Sequence, residues 1–325
     1  MIRTLTSLLA GAASAMFCVS SAFATGTVVG FDGPNVGGWS WGGSSVVEAA
    51  GGHPGAWLHA APDTFAPQLF TTVTPTDFSG DWRARKVATL GVDLITNSTQ
   101  FQFERPLSVI LSSGACEIYF VGSSLVPQPG TGWKSFNFTI DSQSTVMPPG
   151  WAVLSGPCTQ PNAAWNGVMQ NVTSVRFFYG DPTFFFIFDI WNVGADNVRI
   201  YGDAFTALGG GLAGTSGVPL LKGKGTLAPG STVQLALTSG KSNSTGALFI
   251  GLSAINLPFK GGTLVPNTDV VITGLPVSLA GTLTLGSTWP AGIPSGLSLW
   301  FQEWIVDSAG PQGFAASNGL LAVTP

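Results

Sequence analysis

The side chains that could do chemistry in this sequence are few and widely spaced. Asp32 and Asp196 stand near opposite ends of the first half, Asp32 in Phe31-Asp32-Gly33 and Asp196 beside Asn197. A jelly roll pairs its first and last strands, which would bring these carboxylates together with the amide oxygen of Asn197. Such a set suits a hard cation, and the candidate is a structural calcium held by Asp32 and Asp196. The alternative is a turn in which Asp196-Asn197 bonds backbone amides on the way into the last strand.

Flat rings offer a second kind of chemistry. Trp39 and Trp41 flank a serine in a glycine-rich stretch, and Trp82 follows Gly80-Asp81. Exposed on loops, Trp39, Trp41 and Trp82 would stack on sugar faces or apolar polymer surfaces, and they are the candidate ligand-binding residues; buried, they are ordinary sandwich core.

Catalytic constellations are poorly provided for. His53 and His59 lie six apart around a Pro-Gly turn, unlike the i, i+4 pair of a zinc-binding helix. Asp77, Asp81, Glu104 and Glu117 could serve glycoside hydrolysis only if two of them flanked one bond, and no spacing brings two together. Beyond residue 219 there is no His, Arg or Cys, and the acids are Asp269, Glu303 and Asp307. Ser317 in Ala315-Ala316-Ser317-Asn318-Gly319 resembles a nucleophile elbow only weakly, because its module offers no histidine base; a tight turn is the better reading. The expectation is a protein that is not an enzyme.

The elements that must position these residues are strands. Short runs of Val, Ile, Thr, Phe and Trp recur between Gly, Pro, Asn and Asp, and no long stretch has helical periodicity. Expected strands include Val87 to Leu94, Leu107 to Leu111, Glu117 to Val121, Ser135 to Ile140, Ser174 to Tyr179, Phe184 to Trp191 and Asn197 to Tyr201, and then Thr232 to Thr238, Leu248 to Ala254 and Leu297 to Val306. The last is apolar on both faces and expected to be central in its sheet. A glycine-rich break between them reads as a flexible linker, since its G-x-G-x-x-G match is followed by no helix pattern. The fold class expected is all-β, an N-terminal jelly-roll β-sandwich over 25–204, a linker over 205–219, and a smaller C-terminal β-sandwich over 220–325.

Composition sets the compartment and excludes partners. Charged residues are 9% of the chain and the net charge is −4 with no basic run, so nothing in it attracts nucleic acid or anionic lipid. The 44 glycines and 22 prolines imply many turns, while 45% hydrophobic residues and 11 tryptophans supply a core. The N-terminus, basic at Arg3, apolar from Leu8 to Val19 and small at Ala22 and Ala24, reads as a signal peptide over 1–24 that is too short to span a bilayer. A secreted chain with no membrane insertion follows. In an oxidising compartment Cys116 and Cys158 most simply form one disulfide, with two buried thiols as the alternative.

From Gly30 to Tyr201 the order of motifs resembles the laminin-type B (laminin IV) domain of bacterial secreted proteins. It is carried by Phe31-Asp32-Gly33, Gly38-Trp39, Gly51-Gly52-His53-Pro54-Gly55-Ala56-Trp57-Leu58, Phe78-Ser79-Gly80-Asp81-Trp82, Gly132-Trp133, the strand opening at Asn171 and Ala195-Asp196-Asn197-Val198-Arg199-Ile200. The resemblance implies a jelly roll with a role in matrix, adhesion or carbohydrate contact. The C-terminal module, through Pro258-Phe259-Lys260-Gly261-Gly262 and Trp289-Pro290-Ala291-Gly292, is similar to a β module of bacterial secreted proteins that has no assigned activity. Together these imply a secreted binding or adhesion protein contacting a glycan or extracellular matrix polymer. A self-associating structural surface protein and a polymer-degrading hydrolase are the alternatives.

Overall fold

The structure, a computed structural model, describes residues 26–325 apart from 34–35, 43, 62, 72–76, 102–103 and 185–188. The signal-peptide reading of 1–24 and half of the strand expected from Phe184 to Trp191 therefore lie outside the described residues. Two compact units meet in sequence at Gly202 and Asp203. Both are antiparallel β-sandwiches, as the strand periodicity predicts.

In the first unit, a jelly roll, a seven-stranded sheet runs in the order Lys134–Thr139, Val87–Thr99, Ile190–Gly202, Gly55–Ala60, Ser45–Gly52; Gly26–Val29 and Thr64–Phe65 also pair with Ile190–Gly202. The facing sheet runs Trp151–Ser155, Cys116–Leu125, Pro106–Ser113, Ser174–Tyr179, Gln68–Thr71, Trp39–Trp41. Strand period two decides which side chains fill the space between them. Leu90, Val92 and Leu94 point inward from the long strand, against Val109, Leu111, Val175 and Phe177, and all of these are buried. A disulfide joins Cys116 to Cys158 across a separation of 42 residues.

The first unit also holds a helix, Pro161–Gln170, although no long stretch of the sequence has helical periodicity. Its apolar stripe of Ala164, Trp165, Val168 and Met169 is only two turns long, and Pro161 sets its first turn.

The second unit has a six-stranded sheet in the order Phe205–Ala207, Leu320–Val323, Ser298–Val306, Thr245–Gly251, Val270–Pro276, with Phe314–Ala316 also on Ser298–Val306. A three-stranded sheet of Leu220–Lys224, Thr232–Thr238 and Leu283–Thr288 completes it, with a hairpin of Ala254–Phe259 and Gly262–Pro266. Ser298–Val306 is flanked on both sides, the central place its two apolar faces predict.

The stretch read as a flexible linker is instead packed into the second unit. Leu208 N–H donates to Gly319 O at 2.7 Å and Leu212 exchanges backbone bonds with Ala316. The Thr215 hydroxyl and N–H donate to the Asp307 carboxylate at 2.6 and 2.7 Å. Glycine is there for close approach: a β-carbon on Gly214 would stand 2.2 Å from Asp307 Oδ2.

Candidate functional site

The three tryptophans expected to bind ligand are core residues. Trp39 is 1% exposed and Trp41 and Trp82 are 0% exposed. Trp39 packs edge-on against Phe78 with centroids 5.0 Å apart, Trp41 Nε1 donates to Leu58 O at 3.0 Å, and Trp82 Nε1 donates to Phe78 O at 3.2 Å. Both tryptophans of Trp39–Trp41 share a face, as alternation requires, but it is the inner face; no sugar ring can reach any of the three.

The opposite, outer face of the seven-stranded sheet carries other aromatics. In Gly55–Ala60, Ala56, Leu58 and Ala60 are buried, so Trp57 and His59 point outward. Gly194 lies below Trp57, and a β-carbon there would stand 2.2 Å from Trp57 Cε3 and Cζ3. The edge of the indole's six-membered ring thus packs against the bare backbone of the sheet. Trp133 meets it at 82° with centroids 5.8 Å apart, and its Nε1 donates to Gly51 O at 3.0 Å. Trp133 precedes one edge strand and Gly51 belongs to the other, so the face is curved into a trough.

The hairpin joining Ser45–Gly52 to Gly55–Ala60 closes one end of that trough, and acids pin its tip. Asp196 Oδ2 accepts from His53 N–H at 2.6 Å, Asp32 Oδ1 accepts from Ala56 N–H at 2.7 Å, and Asn197 Nδ2 donates to His53 O. Asp93 Oδ2 bonds His53 Nδ1 at 3.0 Å and accepts from Asn197 Nδ2 at 3.0 Å, while its Oδ1 takes Arg199 Nη1 at 2.7 Å. His53 lies parallel to Trp133, 6° between planes. Burial alone would raise the Asp93 carboxyl, but the Ser135 hydroxyl, the Arg199 guanidinium and the Asn197 amide together hold it below its ordinary value.

A hydrogen-bonded row continues along the face. His59 Nδ1 bonds Glu48 Oε1 at 3.1 Å and its Nε2 bonds Asn192 Oδ1 at 3.1 Å; Asn97 donates to the same oxygen at 2.8 Å, and Asn192 Nδ2 donates to Asp63 Oδ1 at 2.8 Å. The carboxylate of Asp63 fixes which way the Asn192 amide turns.

Asp32 and Asp196 do come together, as the pairing of first and last strands predicts. A β-carbon on Gly30 would lie 3.4 Å from Asp32 Oδ2, 3.6 Å from Asn197 Oδ1 and 3.9 Å from Asp196 Oδ1, so three oxygens face one point. Asp196 is fully buried, and its carboxyl is raised by that burial and by neighbouring Asp93 and Asp32, against the lowering effect of the His53 and Asn197 N–H groups. The backbone-amide turn is therefore present. Three oxygens supply part of the shell of six to eight that calcium takes, and among the described residues no group of three His, Cys, Asp or Glu side chains gathers as a metal site.

No family model matches the sequence, and no match was found among curated proteins. Among solved structures, the chain is similar to the N-terminal CBM22-1-CBM22-2 tandem domain of Paenibacillus barcinonensis Xyn10C, at 10% identity and a TM-score of 0.31, over 94% of this chain and 92% of that one. It is also similar to botulinum neurotoxin type C, whose cell entry depends on interaction with two ganglioside molecules, at 11% identity and a TM-score of 0.22 over 87% and 88%. A putative beta-galactosidase from Bacteroides fragilis aligns at 9% identity and a TM-score of 0.17, over 78% of this chain and 32% of that one. Likenesses this distant leave the site to its own geometry.

Two of the four candidate hydrolytic carboxylates, Glu117 and Asp81, have structural partners. Glu117 pairs with Arg176 and accepts from Ser155 at 2.8 Å, and Asp81 accepts from Ala84 N–H at 2.8 Å in a turn. Ser317 is fully buried, its hydroxyl bonded to Glu303 N–H and Asn318 O. No described helix is long and apolar enough to cross a membrane.

Proposed function

We propose that the first unit is a non-catalytic glycan-binding module of an extracellular protein, and that the trough on the outer face of its seven-stranded sheet is the binding surface. The observation that carries this reading is the outward-facing Trp57 ring seated against Gly194, with amide and carboxylate groups of Asn192, Asn97, Asp63 and Glu48 in a row beside it. A pyranose has apolar C–H faces and a rim of hydroxyls, so it needs a flat ring to lie on and fixed donors and acceptors around it. The disulfide agrees with an oxidising compartment.

The laminin-type B reading of this unit is part of the proposal. In its support, three of the motifs behind it converge on one place: Phe31-Asp32-Gly33, the hairpin tip around His53, and Asp196-Asn197. We propose further that Asp32, Asp196 and Asn197 hold a structural calcium under the hairpin tip. The ion would offset the repulsion among Asp32, Asp93 and Asp196 and hold the strand that carries Trp57.

Affinity electrophoresis of the full chain in gels containing soluble polysaccharides tests the proposal. Retardation by at least one polymer, lost in Trp57→Ala, is the expected result; unchanged mobility in every polymer would overturn it.

A further inference from the structure

The trough is shaped and charged in a way that selects among glycans. Its two indoles are not coplanar: Trp57 lies against the sheet and Trp133 stands at 82° to it, with His53 parallel to Trp133. A flat crystalline polysaccharide presents many sugar rings in one plane and needs coplanar aromatic rings to match it. Here the rings form a corner, and the hairpin tip with His53 closes one end above the floor.

The charges are unbalanced toward acid. Glu48, Asp63 and Asp93 stand along the face, and the basic side chains beside them are already engaged. Arg199 donates to Asp93 Oδ1, to Asn137 Oδ1 at 2.9 Å and to Phe136 O at 3.0 Å. His59 bonds Glu48, and His53 bonds Asp93. Lys134, at the sheet edge, directs its Nζ to Leu125 O at 2.7 Å. A sugar carboxylate or sulfate entering this face would meet carboxylates rather than a guanidinium fork.

Resting on the glycan reading above, we infer that the trough takes a single uncharged glycan chain, and that it rejects both polyanionic glycans and flat crystalline surfaces. Trp57 carries one sugar ring, Trp133 turns against the next part of the chain, and the Glu48–His59–Asn192–Asp63 row reads neutral hydroxyls.

The test uses the full chain in three arms: affinity gels with neutral soluble polysaccharides (a mixed-linkage β-glucan, an arabinoxylan and a galactomannan), affinity gels with polygalacturonate at low and near-physiological salt, and pull-down on microcrystalline cellulose and chitin. The expected result is retardation by a neutral polymer, about tenfold weaker or absent binding of polygalacturonate, and no retention on crystals. Glu48→Gln combined with Asp63→Asn should raise polygalacturonate binding at low salt. Binding polygalacturonate as tightly as a neutral glycan, or binding only crystals, would overturn this inference and leave the glycan reading intact. Failure to bind in all three arms overturns the glycan reading itself.

Discussion

The ring of Trp57 occupies the space that a side chain on Gly194 would fill, with only 2.2 Å between its six-membered ring and a β-carbon built there. The two residues sit on adjacent strands, where Gly194 pairs with His59 and Ala195 with Leu58. A glycine on a central strand gives up packing and ordering entropy, and here the vacated volume is what lets the indole reach the sheet backbone. Sheet register and the proposed platform are one feature.

Gly194→Ala is therefore expected to lift Trp57 off the sheet while leaving the inner face untouched. Loss of this close seating should weaken glycan binding by about tenfold, the scale of one aromatic contact, with an unchanged far-UV CD spectrum. Titration of the variant against the polysaccharide that retards the parent protein measures it.

The calcium proposal has a pH signature. Asp196 is raised above its ordinary value, so the stability tied to its protonated form is fully present below the unfolded-state value and is lost as pH rises through the folded one. Calcium replaces the proton's role and should raise the melting temperature of the full chain more at neutral pH than at mildly acidic pH. Asp32→Ala and Asp196→Ala should each abolish that calcium-dependent rise; an identical rise in both variants would place the ion elsewhere.

Glu303 gives the second unit an opposite demand from the usual surface acid. It is 1% exposed on the central strand, its Oε1 lacks a hydrogen-bond partner, and burial pushes its carboxyl up to about 8. The neutral form fits, so stability is full below the unfolded value of 4.5 and falls as pH rises toward about 8, at up to about 1.4 kcal/mol per pH unit. Glu303→Gln should flatten that slope and leave the protein more stable than its parent at pH 8, measured by urea denaturation across the range.

Much of the fold was legible because strand alternation and turn residues act locally. The meeting of Asp32 with Asp196 and the pairing of Cys116 with Cys158 were legible too, since each follows from a rule about chain ends or compartment. The binding face was not. Trp39 and Trp41 share one face in any strand, yet whether that face is core or solvent depends on which sheet covers it. Trp57 and His59 alternate with Ala56, Leu58 and Ala60, a small and aliphatic inner face that marks the aromatics as outward, but the run Gly51 to Gly55 reads first as a turn. Asp93, Asn192 and Arg199 gain their roles only from neighbours distant in sequence. The glycines of 209–214 mark close packing here, and composition alone does not separate that from flexibility.

Removing the disulfide should cost the first unit about 4 kcal/mol, the loop-closure value for a separation of 42 residues. Cys116→Ser with Cys158→Ser, compared with the parent by urea denaturation, reads it; a loss near zero would mean that the strand opening at Cys116 is held by its ladder alone.

The central claim is that the trough around Trp57 and Trp133 is the glycan-binding surface. Isothermal titration of the full chain with a neutral oligosaccharide from the retarding polymer tests it most directly, with Trp57→Ala and Trp133→Ala beside the parent. Each variant is predicted to keep its fold and to lose about tenfold or more in affinity. Parental affinity in both variants would contradict the account.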